Sequence, residues 1–344
     1  MGLLKQKLKT VEFEVTNHCT SALTFGQCKF CYSKSGQKLP NELPQSERCN
    51  AIRKLAEIGV SELLFGGGEP FDIGVDELIE MVQLAKDYGM KVFITTSGVN
   101  SPKTVLKCLS KLDVDGISVS LDGSNSQIHG LSRPSKTFEL AIKTLEACVK
   151  NNLWTYISMA ISKYNVNDFN NMLKLALSLK VNGLYTLPVV RSGCAYNLSD
   201  ILLSPQEKAD HITQVVEASI QLNPDFMVET SAPQKTVVKF NKALTQKILI
   251  GCTAGITDLG ILPDGTIVDC PIHRMKLGNI TVNEIEDIWL NHEKLLLIRN
   301  RKNLKGKCGM CKYRDICGGC RAEASAVYGE YLAEDPTCAF FERR

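Results

Sequence analysis

The 344-residue sequence has no long apolar run and no large excess of charge of either sign. Its longest apolar-rich run, residues 153–161, is far shorter than the roughly 20 residues that a membrane-spanning helix requires. Residues 1–6 lack the apolar segment of an export signal, and Gln6 stands where a myristoylation signal has Ser or Thr. The net charge of +3 gives no reason to expect binding to nucleic acid or to a membrane surface. We therefore expect a cytoplasmic protein with neither a membrane nor a nucleic acid as its partner.

Cysteine, in contrast, is abundant, with fourteen residues in the chain. A reducing cytosol disfavours structural disulfides, so metal ligation is the natural explanation for this number. Ten of the cysteines form one group near the start of the chain and one near its end: Cys19, Cys28, Cys31, Cys252, Cys270, Cys308, Cys311, Cys317, Cys320 and Cys338. The other four are scattered, and Cys49, Cys108 and Cys148 are predicted to be small buried hydrophobic residues.

Short β-rich runs alternate with helical patterns over residues 11–190. Strands are predicted at residues 11–16, 62–65, 91–95, 116–121, 155–161 and 184–188. This repetition predicts a parallel sheet, and periodicity alone fits a doubly wound sheet as well as a partial or full barrel. In each of these folds, ligands bind at the carboxyl ends of the strands.

A change in composition divides the chain into two predicted domains, residues 1–235 and 236–344. A helix beginning after Pro205 leads into a polar stretch, which we interpret as a bridge between the domains. The second domain begins with a predicted hairpin over residues 261–268, because Pro-Asp-Gly supplies the residue types that a tight turn needs.

The first group of cysteines, Cys19-x8-Cys28-x2-Cys31, directly follows the first predicted strand. Three thiolates would leave one iron of a 4Fe-4S cubane free to bind another ligand. A structural zinc ion would need a fourth ligand, which His18 could supply. The cysteines alone leave both interpretations open.

Polar groups also follow the next three strands at their carboxyl ends. The second strand leads into Gly-Gly-Gly-Glu-Pro over residues 66–70, where glycine permits close approach of a ligand and Glu69 could bind an ammonium group. Ser97 follows the third strand. The fourth ends in Ser-Leu-Asp-Gly over residues 120–123, with Arg133 ten residues further on.

These segments resemble the motifs of the radical S-adenosylmethionine (SAM) superfamily, with Phe30 as the aromatic residue before the last cluster cysteine. The resemblance implies a partial (β/α)6 barrel of the TIM type, in which Cys19, Cys28 and Cys31 hold a 4Fe-4S cluster. It also implies a set of SAM-binding residues: Gly67, Gly68, Glu69, Pro70, Ser97, Ser120, Asp122, Arg133 and Arg191. The superfamily usually has three residues between the first two cluster cysteines, whereas this chain has eight. Five extra residues must therefore be accommodated within residues 20–27.

The C-terminal string Cys308-x2-Cys311-x5-Cys317-x2-Cys320 by itself fits a zinc ribbon or a single cubane. Together with Cys252, Cys270 and Cys338 it resembles the SPASM extension of radical SAM enzymes, which holds two auxiliary 4Fe-4S clusters. The resemblance assigns four thiols to an outer cluster: Cys308, Cys311, Cys317 and Cys338. It assigns Cys252, Cys270 and Cys320 to an inner cluster, which either keeps an open iron for substrate or takes a fourth ligand from elsewhere.

Seven basic residues and no acidic residue lie between Arg299 and Arg314. A nucleic-acid site is one explanation of this stretch. We favour the other, in which the cations stabilise an anionic cubane ligated by four thiolates.

The resemblance implies an oxidoreductase that reductively cleaves SAM to a 5′-deoxyadenosyl radical, which abstracts hydrogen from substrate. A flavodoxin- or ferredoxin-type protein would supply electrons. We favour a peptide or protein substrate, modified by crosslinking, oxidation or epimerisation. The tail over residues 328–338 also resembles enzymes that modify tetrapyrrole side chains in haem or haem d1 biosynthesis. A third alternative is a non-catalytic iron-sulfur or zinc scaffold, which would need no SAM site.

Cys194 is the one scattered cysteine with a possible catalytic role. It follows Arg191 at the expected mouth of the barrel, where it could donate a hydrogen atom to a substrate radical. The alternative is a buried structural thiol.

Overall fold

The computed structural model describes residues 7–242 and 250–343. Residues 1–6, on which the export and myristoylation arguments depend, and residues 243–249, part of the predicted bridge, lie outside the described residues. The strands are β1 (Thr10–Thr16), β2 (Glu62–Gly67), β3 (Lys91–Thr96), β4 (Gly116–Ser120), β5 (Thr155–Ile161), β6 (Gly183–Pro188), β7 (Met227–Thr230), β8 (Asp258–Ile261), β9 (Thr266–Val268) and β10 (Lys276–Asn279).

All ten strands belong to one sheet with the order β10-β9-β8-β1-β2-β3-β4-β5-β6-β7. The strands from β8 to β7 in this order pair in parallel, and β9 and β10 continue the sheet in antiparallel fashion. The six strands predicted from the sequence are confirmed, each to within two residues at its ends. The predicted hairpin is confirmed as β8 and β9.

Two parallel pairings were not expected from the sequence. β7 pairs with β6 and lies in the stretch interpreted as a polar bridge, and the hairpin strand β8 also pairs with β1. β7 has only four residues, which is too short for the alternation of apolar and polar residues to be recognised. β1 and β8 lie far apart in the sequence, so no local pattern reports their pairing. The parallel part of the sheet therefore has eight strands rather than six.

In the described part of the chain, the first nine helices lie between successive strands and the last four follow the final strand. They are α1 (Thr20–Phe25), α2 (Gln45–Glu57), α3 (Val75–Asp87), α4 (Lys103–Lys111), α5 (Ser126–His129), α6 (Phe138–Lys150), α7 (Phe169–Ser178), α8 (Pro205–Gln221), α9 (Lys235–Asn241), α10 (Ile285–Asn291), α11 (Glu293–Arg299), α12 (Gly306–Met310) and α13 (Arg321–Tyr328). The helix predicted after Pro205 is α8, which begins with a reciprocal capping box between Ser204 and Glu207. Among the described residues, no helix is both long and apolar enough to cross a membrane.

Alternate strand residues and the apolar helix faces form the main core. Phe13 and Phe65 are fully buried in it and lie with their ring centroids 6.4 Å apart. Cys49 and Cys148 are buried in this core, as predicted. The same prediction is wrong for Cys108, which is exposed because α4 buries Val105, Leu106 and Leu109 on its opposite face.

Glu12 of β1 and Tyr185 of β6 show that the sheet is curled into a partial barrel. Five strand spacings of about 4.8 Å would separate them by roughly 24 Å in a flat sheet. Burial raises the pKa of Tyr185, and the charge of Glu12 is near enough to raise it further. The charge of Glu12 also raises the pKa of Tyr156 on β5. These side chains therefore face one enclosed space, in agreement with the expected partial-barrel fold.

The C-terminal region is joined to the barrel through β1 as well as through side chains. Next to the pairing of β8 with β1, Arg274 donates to both carboxylate oxygens of Glu14 at 2.6 and 2.7 Å. Burial raises the pKa of Glu14 to about 7, while Arg274 opposes this increase. The predicted domain boundary after residue 235 falls at the beginning of α9.

Two glycines at the end of β2 allow it to lie directly against the chain that follows β1. Gly67 has a φ of +107°, and a Cβ at Gly68 would stand only 2.0 Å from the carbonyl oxygen of His18. The backbone N–H groups of Gly68 and Glu69 donate to the carbonyl oxygens of Thr16 and His18, both at 2.8 Å. The first cysteine loop is therefore seated on β2 by backbone contacts that exclude a side chain.

We expect Gly68→Ala to lower the free energy of unfolding by about 1–3 kcal/mol, because the added methyl group overlaps backbone that is held by hydrogen bonds. Denaturant unfolding of the purified protein under anaerobic conditions measures this. Gly36→Ala is the matched control in the same region, since a Cβ at Gly36 meets nothing within 4 Å. Equal stability of the two variants would contradict the packing argument.

Arg274→Gln is expected to destabilise the protein more as the pH rises. The ordinary pKa of Glu14 is about 4.5 and its folded value is about 7, so between these values the folded state holds more protons and stability falls with pH. Removing Arg274 raises the folded pKa of Glu14 further and makes ionisation of this buried carboxyl costlier.

The stability difference from wild type should therefore be larger at pH 8 than at pH 5.5, reaching about 3 kcal/mol. The Glu14→Gln/Arg274→Gln double variant removes the ionisable partner and should lose the additional pH dependence. A pH-independent effect of Arg274→Gln would refute the proposed coupling.

Candidate active site and metal centres

The first cysteine loop lies at the carboxyl end of β1, and the extra residues within it form helix α1. Cys19 precedes the first turn of α1, which ends at Gly26 with a φ of +114°. The backbone N–H of Thr20 donates to Asp72 Oδ2 at 2.6 Å, and that of Cys19 donates to the carbonyl oxygen of Gly36 at 2.9 Å. The inserted residues thus form a short helix, which is held by the hydrogen bond from Thr20 to Asp72 after β2. The chain then continues to Cys28.

The three thiols that the sequence predicts as cluster ligands lie on this loop and influence one another electrostatically. Burial raises the pKa of Cys19 to about 12, and the charges of Glu69, Cys28 and Cys31 contribute to this increase. The pKa of Cys28 is also raised by burial, and Cys31 again contributes. Thiols with raised pKa values are poor ligands until a cation stabilises their thiolates, and a cluster supplies such cations. Three neighbouring thiols fit a cubane that retains one open iron.

Phe30 anchors this loop to the chain that follows β6. Its ring is largely buried among Ala195, Ile201 and Leu202. The backbone N–H of Lys29 donates to the carbonyl oxygen of Ser132 at 2.9 Å. The predicted aromatic residue therefore fixes the position of the cluster loop through packing.

Glu69 is fully buried beneath the loop and accepts hydrogen bonds from residues at the end of β3. Its Oε1 accepts from Thr96 Oγ1 at 2.7 Å, and its Oε2 accepts from the backbone N–H and hydroxyl of Ser97 at 2.8 and 2.5 Å. Burial raises the pKa of Glu69 to about 7, although the hydrogen bonds oppose the increase. Pro70 begins the short 3₁₀ helix Pro70–Ile73 directly after it. Two predicted SAM-site residues, Glu69 and Ser97, are thus in direct contact.

Asp122, which is buried, and Arg133, which is partly exposed, form an ion pair beside the cysteine loop. Arg133 Nε donates to Asp122 Oδ2, and Nη1 lies 3.7 Å from Cys28 Sγ. Asp122 Oδ1 accepts from the backbone N–H of Ala160 at 2.8 Å. Ser120 is the last residue of β4, and it is buried at the same edge of the sheet. Asp122 therefore orients Arg133 toward the thiol that it can stabilise.

Arg191 is engaged by a residue that the sequence analysis did not identify. Its backbone N–H and Nη1 donate to the two carboxylate oxygens of Glu323 at 2.9 and 2.7 Å. Glu323 lies on α13 in the C-terminal region and is almost completely buried. The ion pair links the predicted SAM site to the segment that follows Cys320. The two residues are 132 positions apart, so no local sequence pattern predicts this contact.

Cys194 lies against the cysteine loop. Its backbone N–H donates to the carbonyl oxygen of Cys31 at 2.9 Å, and a Cβ on Gly193 would stand 2.2 Å from the same oxygen. The thiol is partly exposed, and burial followed by the charge of Cys31 raises its pKa. The structure thus places Cys194 at the mouth of the barrel and beside the predicted cluster.

The inner face of the sheet is the set of strand residues that point away from the helices. On β1 to β3 and β5 to β7 these residues alternate with core residues, and among them are carboxyl, hydroxyl, aromatic and aliphatic groups: Glu12, Leu64, Phe93, Thr95, Tyr156, Ser158, Tyr185, Leu187 and Glu229. Tyr32 donates to Glu12 at 2.8 Å, and burial raises the pKa of Glu12. Lys235 and Lys239 pair with Glu229.

The division of the C-terminal cysteines into an outer and an inner set stays a prediction, and the thiols within each predicted set influence one another electrostatically. In the outer thiol set, Cys308, Cys311, Cys317 and Cys338, burial raises the pKa of Cys338 to about 11 and the charges of Cys308 and Cys311 contribute. In the inner thiol set, Cys252, Cys270 and Cys320, burial raises the pKa of Cys320 to about 12 and the charge of Cys252 contributes. The charge of Cys252 also raises the pKa of Cys270.

Buried cations lie beside both thiol sets. Arg301 is nearly inaccessible, its charge interacts with Cys252, Cys317 and Cys308, and within the described ranges its Nε and Nη1 have no hydrogen-bond partner. Such orphaned donors cost free energy unless an acceptor is present, and cluster sulfides and thiolates are acceptors. Arg321 Nη2 also lies 3.7 Å from Cys308 Sγ. Arg301 belongs to the basic stretch, and its burial beside the thiols fits charge compensation rather than a nucleic-acid surface.

Lys208 of α8 is a third buried cation, and it reaches the C-terminal region from the barrel. Its Nζ donates to Thr337 Oγ1 at 2.8 Å. Burial alone would lower the pKa of Lys208, but the charges of Asp335, Cys320 and nearby groups raise it above the usual value. Asp335 in turn accepts from the backbone N–H of Cys320 and from Gln234, both at 2.7 Å.

Comparison with known proteins gives two family matches on this chain. The model of the radical SAM superfamily matches residues 13–176, and that of the SPASM iron-sulfur cluster-binding domain matches residues 252–312. The AdoMet-dependent heme synthase of Methanosarcina barkeri is 27% identical over 96% of this chain and 96% of its own length. The PqqA peptide cyclase of Rhizobium meliloti is 24% identical over 94% of this chain and 85% of its own length.

Solved structures show the same fold. SuiB of Streptococcus suis bound to S-adenosylmethionine superimposes with a TM-score of 0.75 at 17% identity, covering 97% of this chain and 78% of SuiB. SuiB bound to its precursor peptide SuiA gives a TM-score of 0.76 at 16% identity, with coverages of 97% and 76%.

The radical SAM match includes the three-thiol loop, and the SPASM match includes Cys252, Cys270, Cys308 and Cys311; the cofactors of these two families are SAM and 4Fe-4S clusters. This chain belongs to the radical SAM superfamily and carries a C-terminal SPASM domain.

Proposed function

We propose that this protein is an enzyme that reductively cleaves SAM and modifies a peptide or protein. SAM bound to a reduced cluster supplies a 5′-deoxyadenosyl radical, which abstracts hydrogen from the substrate. Residues 1–235 would bind SAM and residues 236–344 would hold the two auxiliary clusters. A flavodoxin- or ferredoxin-type protein would supply the electron, and a reducing cytoplasm suits the many thiols.

In this proposal the residues of the barrel have distinct roles. Cys19, Cys28 and Cys31 hold the cluster, while Arg133 stabilises the thiolate of Cys28. Gly67 and Gly68 seat β2 against the chain that follows β1, and we keep both as predicted SAM-binding residues. Glu69 fixes Ser97 through two hydrogen bonds, which leaves the end of β3 ordered for binding.

Further polar residues would complete the SAM site. Ser120 lies at the end of β4, and Asp122 holds Arg133 by an ion pair. Arg191, held by Glu323, lies after β6. We keep Cys194 as a candidate hydrogen donor, because it lies beside the cysteine loop at the mouth of the barrel.

The composition of the inner face supports a peptide rather than a tetrapyrrole. A tetrapyrrole of the haem pathways carries several carboxylates, and burying them requires matching cations. Among the inner-face strand residues of β1 to β7 in the described ranges, the one basic residue is Lys91, which is exposed at the amino end of β3. Glu12 adds a carboxyl group, which accepts a hydrogen bond of 2.8 Å from Tyr32 and lies within the electrostatic reach of Arg274. A peptide presents neutral amide groups and suits this surface better.

A tetrapyrrole substrate is the second candidate, and one observation favours it. The AdoMet-dependent heme synthase of Methanosarcina barkeri aligns with this chain over 96% of both proteins. The peptide cyclase of Rhizobium meliloti has a lower coverage of 85% of its own length.

Replacing one cysteine of the first cysteine loop should abolish SAM cleavage and remove one of the three clusters. We expect about twelve irons per chain after anaerobic reconstitution, since each 4Fe-4S cluster contributes four, and about eight in Cys28→Ala. Release of 5′-deoxyadenosine after addition of SAM and dithionite should occur in wild type and be lost in this variant.

Cys108→Ala is the matched control, because Cys108 is exposed on α4, and it should retain both properties. Zinc in place of iron, or absence of SAM cleavage by wild type, would favour the non-catalytic scaffold.

The two substrate classes can be separated directly. Wild type should release 5′-deoxyadenosine at least about 10-fold faster with a synthetic peptide encoded next to its gene than without substrate, and mass spectrometry should show the peptide altered. Iron coproporphyrin III, a tetracarboxylate, should give neither stimulation nor saturable binding in an absorbance titration. Saturable binding with loss of carbon dioxide from the porphyrin would establish the tetrapyrrole alternative instead.

A further inference from the structure

The chain forms a tight turn directly after Cys270, with the sequence Cys-Pro-Ile-His-Arg over residues 270–274. The backbone N–H groups of Ile272 and His273 donate to the thiol of Cys270. The backbone N–H of Arg274 donates to the carbonyl oxygen of Cys270 at 2.8 Å, and Arg274 has a positive φ of 57°. The backbone thus folds around the sulfur of Cys270.

This turn has the form of a metal-binding knuckle. Such knuckles place two ligands with two to four residues between them, and backbone N–H groups support the first sulfur. His273 stands at the position of the second ligand, with two residues between it and Cys270. Imidazole nitrogen is a known replacement for thiolate on the iron of iron-sulfur clusters.

The side chain of His273 is oriented as in a metal-bound histidine. Its Nδ1 lies 2.6 Å from Oδ2 of Asp269, whose side chain is completely buried. A histidine that binds a metal through one ring nitrogen almost always donates the other N–H to a carboxylate or carbonyl group. In the described part of the chain, Nε2 of His273 has no hydrogen-bond partner. Asp269 also accepts from the backbone N–H of Met275 at 3.1 Å, which fixes the carboxylate.

We propose that Nε2 of His273 is the fourth ligand of the inner auxiliary cluster, together with Cys252, Cys270 and Cys320. The inference depends on the cluster assignment made under Proposed function. With four protein ligands, every iron of this cluster is occupied, so the cluster transfers electrons and does not bind substrate. Asp269 acts as a positioning residue, since it orients the imidazole and holds its N–H.

Isotope-labelled holoenzyme tests the ligand directly. We would prepare the full-length protein with 15N-histidine and with 14N-histidine, reduce it with dithionite, and record pulsed electron paramagnetic resonance spectra. A nitrogen coupling that changes with the isotope is expected for a directly bound imidazole. Its absence in reduced wild type would overturn the proposal without any substitution, so a variant that fails to fold does not affect this test.

Substitutions then identify the residue. His273→Gln should abolish the coupling, whereas His292→Gln should retain it, because His292 lies at the beginning of α11, where its Nδ1 accepts from the backbone N–H of Lys294. His273→Cys should restore four-ligand coordination with a lower reduction potential, since thiolate donates more negative charge than imidazole. A coupling that persists in His273→Gln would overturn the assignment.

The same measurements separate this inference from the underlying cluster assignment. Cys270→Ala should reduce the iron content from about twelve to about eight per chain. If Cys270→Ala retained about twelve irons, the inner cluster itself would be misassigned. If iron fell to about eight in Cys270→Ala while wild type showed no histidine coupling, only the role of His273 would be refuted, and Asp269 and His273 would be an ordinary buried pair.

Discussion

The need to hold negative charge on buried sulfur governs much of this structure. Each thiolate must leave water, and this is favourable only where metal and nearby cations compensate the charge. Arg133 lies next to Cys28, and Arg321 lies next to Cys308. Arg301 lies between the inner and outer thiol sets, and Lys208 extends from the barrel toward Cys320. Three of these four cations are in turn fixed by acidic groups or backbone carbonyls, which explains how they remain in place in a densely packed interior.

The acidic partners connect the two halves of the chain. Asp335 accepts from both Gln234 and Cys320, so one buried carboxylate orders the end of the barrel region and a predicted cluster ligand together. Glu323 similarly holds Arg191, and Glu14 holds Arg274. A structural change near the thiols of either domain is therefore expected to alter contacts in the other domain. Because the partners are buried, salt in the solvent screens these pairs much less than it screens surface pairs.

The strand positions and the cysteine groups could be predicted from the sequence because both are local patterns. Alternation of apolar and polar residues marks β5, and spacing marks the string from Cys308 to Cys320. Helix α1 could not be predicted, since its six residues carry too little periodicity. The pair of Arg274 with Glu14 joins residues 260 positions apart, and no local signal reports such a contact. Residue identity suggested that Glu69 would bind an ammonium group, but only the structure shows that Thr96 and Ser97 already occupy its oxygens.

The pairing of β1 with β8 has a consequence for the way the protein is made. β1 is synthesised before the other described strands and acquires β2 as a neighbour within about 50 residues, but its other edge is covered only by residues 258–261. Until then it is an open strand edge, which can pair with other chains. Synthesis at about 5–20 residues per second leaves this edge unprotected for at least roughly ten seconds. The SPASM region thus also covers the open edge of β1 and prevents a newly synthesised barrel from pairing with other chains.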